Sequence, residues 1–333
     1  MNRFIFTCGD INGIGPEIVL KALNKLTAKK KADRFLFICP KNIFESTSKI
    51  ITPKFNFAFA ENVNEDFKNQ VIILSLKNTK QNLGKPTKSS GKSSYDSIRL
   101  SFELLKNDKA DSVITAPISK TAINLAGINF PGHTEMYAQW CGVKNFVMMF
   151  LSNKMNASLL TIHIPIKKVP GLINQKLFFK TLGIISNTLK IDLNINSPSI
   201  AVLGLNPHAG ENGLIGDEEK NIIFPLIKKY AKKFNVSGPF VADAFFANHL
   251  YIKYNIVLGM YHDQVLIPFK MLNFSHGVNY TAGLPIVRTS PDHGTAFDIA
   301  GENLADETSM LEAFYYAEKI VKNRKRNIKN KKE

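Results

Sequence analysis

At 333 residues and 44% hydrophobic content, the chain is long enough to bury a large core and reads as one interlocked pair of domains. No apolar run approaches the ~20 residues of a membrane span, and MNRFIFTCGD turns at Gly9-Asp10 too early for a signal-peptide core, which predicts a cytoplasmic protein with no membrane partner. Lys and Arg outnumber Asp and Glu by 43 to 27, a net charge of +16, but the excess lies in runs such as Lys29-Lys30-Lys31 and the tail VKNRKRNIKNKKE. These runs lack aromatic interleaving and any nucleic-acid-binding signature, so they read as a solvated face and a frayed tail, with no nucleic acid as partner. Cys8, Cys39 and Cys141 show no CxxC spacing, which argues against a disulfide framework or a thiolate metal site.

The chain opens with an apolar strand, Arg3 to Cys8, a glycine turn from Gly9 to Gly15, and a helix begun by Pro16 and Glu17. The glycines fall at 9, 13 and 15, which is not the G-x-G-x-x-G spacing of an ordinary dinucleotide site. Phe35–Cys39 and Val71–Leu76 read as buried strands, so strand and helix alternate in an α/β manner. GKSS at 91–94 is not a P-loop, because Pro86 stands where that motif needs glycine; Ser93 is read instead as opening a helix over Tyr95–Lys106. Another strand, Ser112–Thr115, leads to a turn, Phe130-Pro131-Gly132, after which His133 and Thr134 suit either an oxyanion or a helix cap.

Three apolar runs then end in histidine: Ala157–Ile162 before His163, Ile200–Leu205 before His208, and Ile256–Met260 before His262. The carboxyl edge of an α/β sheet is where ligands bind, so the three imidazoles could meet on one divalent ion; each alone also suits a hydrogen-bonded structural role. Between them, Gly216-Asp217-Glu218-Glu219 introduces a helix with an acidic first turn, and Gly238-Pro239 marks a break before Asp243. From Leu258 to Gly301, polar groups gather in turns between apolar runs, the pattern of a site on a rigid scaffold.

Five blocks, GDINGIGPEI, PGHTE, LNPHAGE, YHDQ and GVNYTAGLPIVRTSPDHGTAFDIAG, together resemble the 4-hydroxythreonine-4-phosphate dehydrogenase (PdxA) family of pyridoxal phosphate biosynthesis, over nearly the whole chain. The resemblance implies a two-domain α/β/α architecture of the isocitrate and isopropylmalate dehydrogenase type. It would comprise residues 1–125 with 280–333 and a central domain of 126–279, with the site in the interdomain cleft of a homodimer that shares its active sites. It implies His163, His208 and His262 as ligands of a divalent ion (zinc, magnesium, manganese or cobalt). It also implies His133, Thr134, Lys270, Asn279 and Arg288 for the phosphorylated substrate. HGTAFDIAG is similar to the adenosine-side loop of isopropylmalate dehydrogenases and suggests His293, Gly294, Thr295 and Asp298 for NAD or NADP. Three departures from the usual family blocks, GDINGIG, YHDQV and TSPDHG, leave the polar positions intact, while Val265 and Pro291 raise the question of a reshaped pocket wall.

The implied reaction oxidises 4-phosphonooxy-L-threonine to 2-amino-3-oxo-4-phosphonooxybutanoate, which loses carbon dioxide to give 3-amino-2-oxopropyl phosphate. Residue chemistry agrees with it. Three imidazoles leave coordination positions open for substrate oxygens. Lys270 and Arg288 offer fixed positive charge, and Asp243 and Asp263 are placed to orient ligand imidazoles or the ion, which makes Asp243, Asp263 and Lys270 the catalytic candidates. Rival expectations are a sibling dehydrogenase acting on a phosphothreonate-type acid or a cis-diol, and a metal-dependent hydrolase.

Overall fold

The structure, a computed structural model, describes residues 1–63, 69–130 and 132–330, so Pro131 of the PGHTE block and the last three residues lie outside the described residues. Its strands are β1 (Arg3–Thr7), β2 (Arg34–Pro40), β3 (Phe57–Ala60), β4 (Val71–Leu76), β5 (Ser112–Thr115), β6 (Val147–Leu151), β7 (Ala157–Leu159), β8 (Ile200–Leu203), β9 (Val236–Phe240), β10 (Ile256–Gly259), β11 (Val278–Ala282) and β12 (Arg288–Pro291). With the intervening helices they make an α/β fold. Two compact units emerge: Met1–Gly142 with Leu284–Val321, and Val143–Gly283 with Lys322–Glu333. No helix among the described residues is long and apolar enough to cross a membrane.

In the first unit the strands run β3-β4-β2-β1-β5-β12, all parallel. Their near-continuous apolar runs, such as FIF and VIIL, suit strands covered on both faces. Phe4, Phe6 and Phe35 gather around Phe314, whose ring lies 4.8 Å from Phe4 in an edge-on contact. The helix expected from Tyr95 begins earlier, at Lys88, because Thr87 and Ser90 form a reciprocal capping box. GKSS is therefore helical, with Lys92 outward and Ser90, Ser93, Ser94 and Ser97 lining the buried face. A Cβ on Gly91 would sit within 2.2 Å of the Ala122 carbonyl carbon, so only glycine allows the helix Lys120–Leu125 to approach this closely.

The second unit has the order β11-β6-β7-β10-β8-β9, in which β6 is antiparallel to both neighbours and β7, β10, β8 and β9 are mutually parallel. The break expected at Gly238-Pro239 is instead the middle of β9, an edge strand whose register shifts there, where a residue without an N–H is tolerated. The frayed basic tail is also corrected. The helix Thr308–Asn330 carries it, and within the second unit Arg324 donates to both carboxylate oxygens of the buried Asp192, at 2.7 and 3.2 Å. The side-chain amides of Asn323 and Asn327 donate to the Asp192 and Ile191 carbonyls. These contacts sit at the C-terminal end of the helix Gln175–Ile191, where exposed carbonyls attract cations and N–H donors.

Candidate active site

Adjacent strands β7, β10 and β8 carry the three candidate ligand histidines past their carboxyl ends. The β7–β10 ladder continues beyond the strands, with Leu160 N–H donating to the Gly259 carbonyl at 2.9 Å and the Thr161 hydroxyl to the Met260 carbonyl at 2.6 Å. Its extension brings the His163 and His262 rings to 5.8 Å between centroids, within one chain. Nδ1 of His262 pairs with Asp263 Oδ1 at 2.6 Å, the kind of carboxylate contact that orients a metal-ligating imidazole. Gln264, the last residue of YHDQ, clamps the next strand end: its Oε1 accepts from Met260 N–H at 2.7 Å and its Nε2 donates to the Gly204 carbonyl at 2.5 Å.

Beyond Gly204 the chain enters an unusual turn. His208, Ala209, Gly210, Glu211 and Asn212 all have φ between 44° and 79°. A left-handed turn costs roughly 1–2 kcal/mol per non-glycine residue, so it persists only where its surroundings over-determine it. It is followed by a π-helical stretch, Glu219–Ile223, ahead of Pro225, which has no N–H to continue an ordinary helical ladder. His208, Glu211, Asn212, Lys220 and Phe224 line a cavity of about 600 Å³ beside it. Among the described residues no group of three or more His, Cys, Asp or Glu side chains of this chain could hold a metal ion. The donor set brought together is His163 and His262, two imidazoles that suit a divalent ion, with His208 on the neighbouring strand end. Asp243 lies exposed in the first turn of the helix Ala242–Ala247, and no hydrogen bond links it to a described histidine.

Lys270 is exposed on the helix His262–Asn273, roughly 12 Å along the axis from His262 at 1.5 Å per residue. Asn279 on β11 has a buried Oδ1 without a hydrogen-bond partner among the described residues, and a buried acceptor of this kind calls for a donor. Val265 belongs to the core: it is fully buried in a cluster with Phe150, Leu203 and Phe269, and it fits because Gly259 has no Cβ to meet it. Pro291 is likewise buried, as the last residue of β12.

The first unit brings together Arg288, Thr134 and His133. Arg288 on β12 is 1% exposed, and its Nε and Nη2 donate to the Thr115 hydroxyl at 3.0 and 2.7 Å, with Nη1 3.5 Å from the Thr134 hydroxyl. Burial lowers its pKa to about 10, so the guanidinium stays charged at neutral pH. His133 opens the helix His133–Trp140, and burial together with the neighbouring Arg288 charge holds its pKa well below the ordinary imidazole value. The ring is therefore neutral, and its buried Nε2 has no hydrogen-bond partner. A desolvated cation, a hydroxyl and a neutral imidazole at a helix start are groups whose chemistry suits a phosphate or carboxylate.

Also in the first unit, the expected nucleotide loop is pinned to the opening glycine turn. Ile14 N–H donates to the Thr295 carbonyl at 3.0 Å, and a Cβ on Gly13 would lie 2.5 Å from that oxygen, which is why glycine stands there. Glu17, 3% exposed, accepts from Gly301 N–H at 2.5 Å and Asn303 N–H at 3.1 Å. Sequence reasoning assigned Glu17 to the helix N-terminus and missed this tie, which spans 284 residues. His293, Gly294 and Asp298 are exposed on the loop so held.

Residues 30–317 match the family model described as pyridoxal phosphate biosynthetic protein PdxA. The chain is 38% identical over 328 residues to the 4-hydroxythreonine-4-phosphate dehydrogenase of Bacteroides thetaiotaomicron, covering 97% of this chain and 90% of that protein. The crystal structure of the 4-hydroxythreonine-4-phosphate dehydrogenase of Klebsiella pneumoniae superposes with a TM-score of 0.80 at 32% identity, over 96% of this chain and all (100%) of that one. A terephthalate 1,2-cis-dihydrodiol dehydrogenase from Burkholderia xenovorans LB400 shares the fold at 24% identity, with a TM-score of 0.63 over 95% of this chain and 97% of that one.

Proposed function

Since the chain belongs to the PdxA family of pyridoxal phosphate biosynthetic proteins and is an oxidoreductase, we propose that it oxidises 4-phosphonooxy-L-threonine to 2-amino-3-oxo-4-phosphonooxybutanoate, which decarboxylates to 3-amino-2-oxopropyl phosphate. The observation that carries the phosphorylated substrate is the buried Arg288 beside Thr134 and neutral His133. A guanidinium held out of water has a strong preference for a doubly acceptor, anionic group, which the phosphate of this substrate offers.

NAD or NADP supplies the hydride acceptor, and one divalent ion, zinc, magnesium, manganese or cobalt, supplies stabilisation of negative charge at the reacting carbon's oxygen. In this reading Arg288, Thr134 and His133 bind the phosphate, while Lys270 and Asn279 hold the carboxylate and amino end. Asp263 fixes the His262 tautomer, supported by the 2.6 Å contact to its Nδ1. His293, Gly294, Thr295 and Asp298 take the nucleotide on a loop whose position Glu17 and Gly13 maintain. Asp243 is assigned to orienting the ion or its ligands when the site is filled.

We assign His163 and His262 to one protomer of a homodimer and His208 to its partner. The 5.8 Å approach of the first two rings supports this pairing rather than the sharing of His163 with His262. Exposed apolar side chains of the same unit, Phe274 at 95%, Leu214 at 86% and Met271 at 81%, support an interface that covers them. The reaction is assigned to the cytoplasm.

The test is the absorbance of reduced nicotinamide with 4-phosphonooxy-L-threonine, its unphosphorylated analogue, a phosphothreonate-type acid and an aromatic cis-diol. The phosphorylated threonine should be turned over with the highest kcat/KM. Preference for the cis-diol, or no reduced nucleotide with any of them, would overturn the assignment.

A further inference from the structure

We propose that Glu219 is the positioning residue for His208: its carboxylate holds the left-handed turn that presents the imidazole, and so sets metal affinity without touching the metal. The inference rests on the reading of His208 as a ligand.

Glu219 is 4% exposed, and its bonds run to the chain just before the turn. Oε1 accepts from the backbone N–H groups of Leu205 and Asn206 at 2.6 and 2.7 Å, and Oε2 accepts from Asn206 Nδ2 at 2.9 Å. Two successive amides aimed at one oxygen form a nest, an arrangement that demands an anion or strong acceptor. Three glycines clear the space. A Cβ on Gly210 would lie 2.7 Å from Glu219 Oε2 and 2.4 Å from the Gly216 carbonyl; one on Gly204 would lie 3.2 Å from Oε1; one on Gly216 would strike Asn206 Nδ2 at 2.3 Å.

The carboxylate is specific to this task. It accepts only, and it meets three N–H donors; a glutamine at 219 would turn an NH₂ group toward one of them, and an aspartate would fall a methylene short. His208 to Asn212 are left-handed, a costly conformation for the non-glycine residues among them, and the turn's own backbone bonds begin at Asn206, whose carbonyl accepts from Ala209 N–H at 3.1 Å, so the anchor on Leu205 and Asn206 fixes where the turn starts. Glu218 also accepts from Asn206 Nδ2, at 2.7 Å, but makes no bond to the Leu205 or Asn206 backbone amides, so it serves as the control.

The experiment titrates zinc into metal-free dimer by calorimetry for wild type, Glu219→Gln, Glu218→Gln and His208→Ala, with amide hydrogen exchange followed over residues 204–212. The expected result is a loss of zinc affinity of about ten-fold to a hundred-fold in Glu219→Gln, with faster exchange at Leu205 and Asn206. Glu218→Gln should bind within about two-fold of wild type. Wild-type affinity in Glu219→Gln, with affinity lost in His208→Ala, would overturn the role of Glu219 and leave the ligand assignment standing. Wild-type affinity in His208→Ala would overturn the ligand assignment and this inference together. Should Glu219→Gln fail to fold, Glu219→Asp makes the same comparison with the charge retained.

Discussion

Replacing Arg324 by alanine should destabilise the protein by about 2–4 kcal/mol, although the residue lies in a stretch of sequence that reads as a solvated basic tail. Asp192 is 3% exposed and is held by the Arg324 fork at 2.7 and 3.2 Å and by the Tyr280 hydroxyl at 2.6 Å, while that hydroxyl accepts from Arg324 Nη2 at 3.0 Å. Without the guanidinium, a buried carboxylate keeps only one side-chain donor. Breaking a fully buried pair removes about 3–5 kcal/mol, and the 21% exposure of the Arg324 side chain lets water recover part of this. With a urea m-value of about 3 kcal/mol/M, the midpoint should fall by roughly 1 M. Truncation after Val321, which also removes Asn323 and Asn327, should do at least as much. A loss under about 1 kcal/mol, the range of exposed pairs, would refute the reasoning.

Other outcomes follow from the same geometry. Because His133 is held neutral, the unfolded chain binds its proton first: stability should fall as pH drops below about 6.5, by up to about 1.4 kcal/mol per pH unit, and His133→Gln should flatten this part of the urea-midpoint profile. Glu17→Ala should raise the KM for NAD or NADP by about five-fold to a hundred-fold, the equivalent of about 1–3 kcal/mol for unmade buried bonds, and leave the substrate KM nearly unchanged; an equal rise in both would remove the nucleotide loop from the explanation. Mixed dimers of His208→Ala with His262→Ala should regain reduced-nicotinamide production at one of their two sites, whereas His163→Ala with His262→Ala should not. The reverse pattern would dissociate His163 from His262.

Much of the scaffold was legible because buried parallel strands are written as uninterrupted apolar runs: Val71–Leu76 and Ser112–Thr115 match β4 and β5 residue for residue. The histidines were legible by position, since each follows a strand end of one parallel set. Their geometry was not. The approach of His163 to His262 depends on β7 pairing with β10, and the left-handed turn at His208 depends on Glu219, which makes its bonds 13 and 14 residues away. NPHAGENG carries a partial signal, because Gly and Asn tolerate positive φ, but His208, Ala209 and Glu211 do not advertise it. The tail misled for a different reason. Composition counted its lysines, while the informative residues are Asn323, Arg324 and Asn327, spaced along one helix face opposite Asp192 and Ile191. GKSS was refused as a P-loop on its spacing, but its place inside the helix was not legible, because the capping box at Thr87 and Ser90 and the close packing at Gly91 are tertiary and local geometry rather than pattern.

The central claim is that His163, His208 and His262 form one metal centre per active site that hydride transfer requires. Its most direct test is to strip the protein with EDTA and restore zinc, magnesium, manganese or cobalt in measured steps while recording reduced-nicotinamide formation from 4-phosphonooxy-L-threonine. Activity should be absent in the stripped protein and return linearly until one ion is bound per protomer, and each single alanine variant of the three histidines should remain folded but fail to recover. Full turnover in stripped protein, or recovery in any of the three variants with normal metal content, would contradict the account.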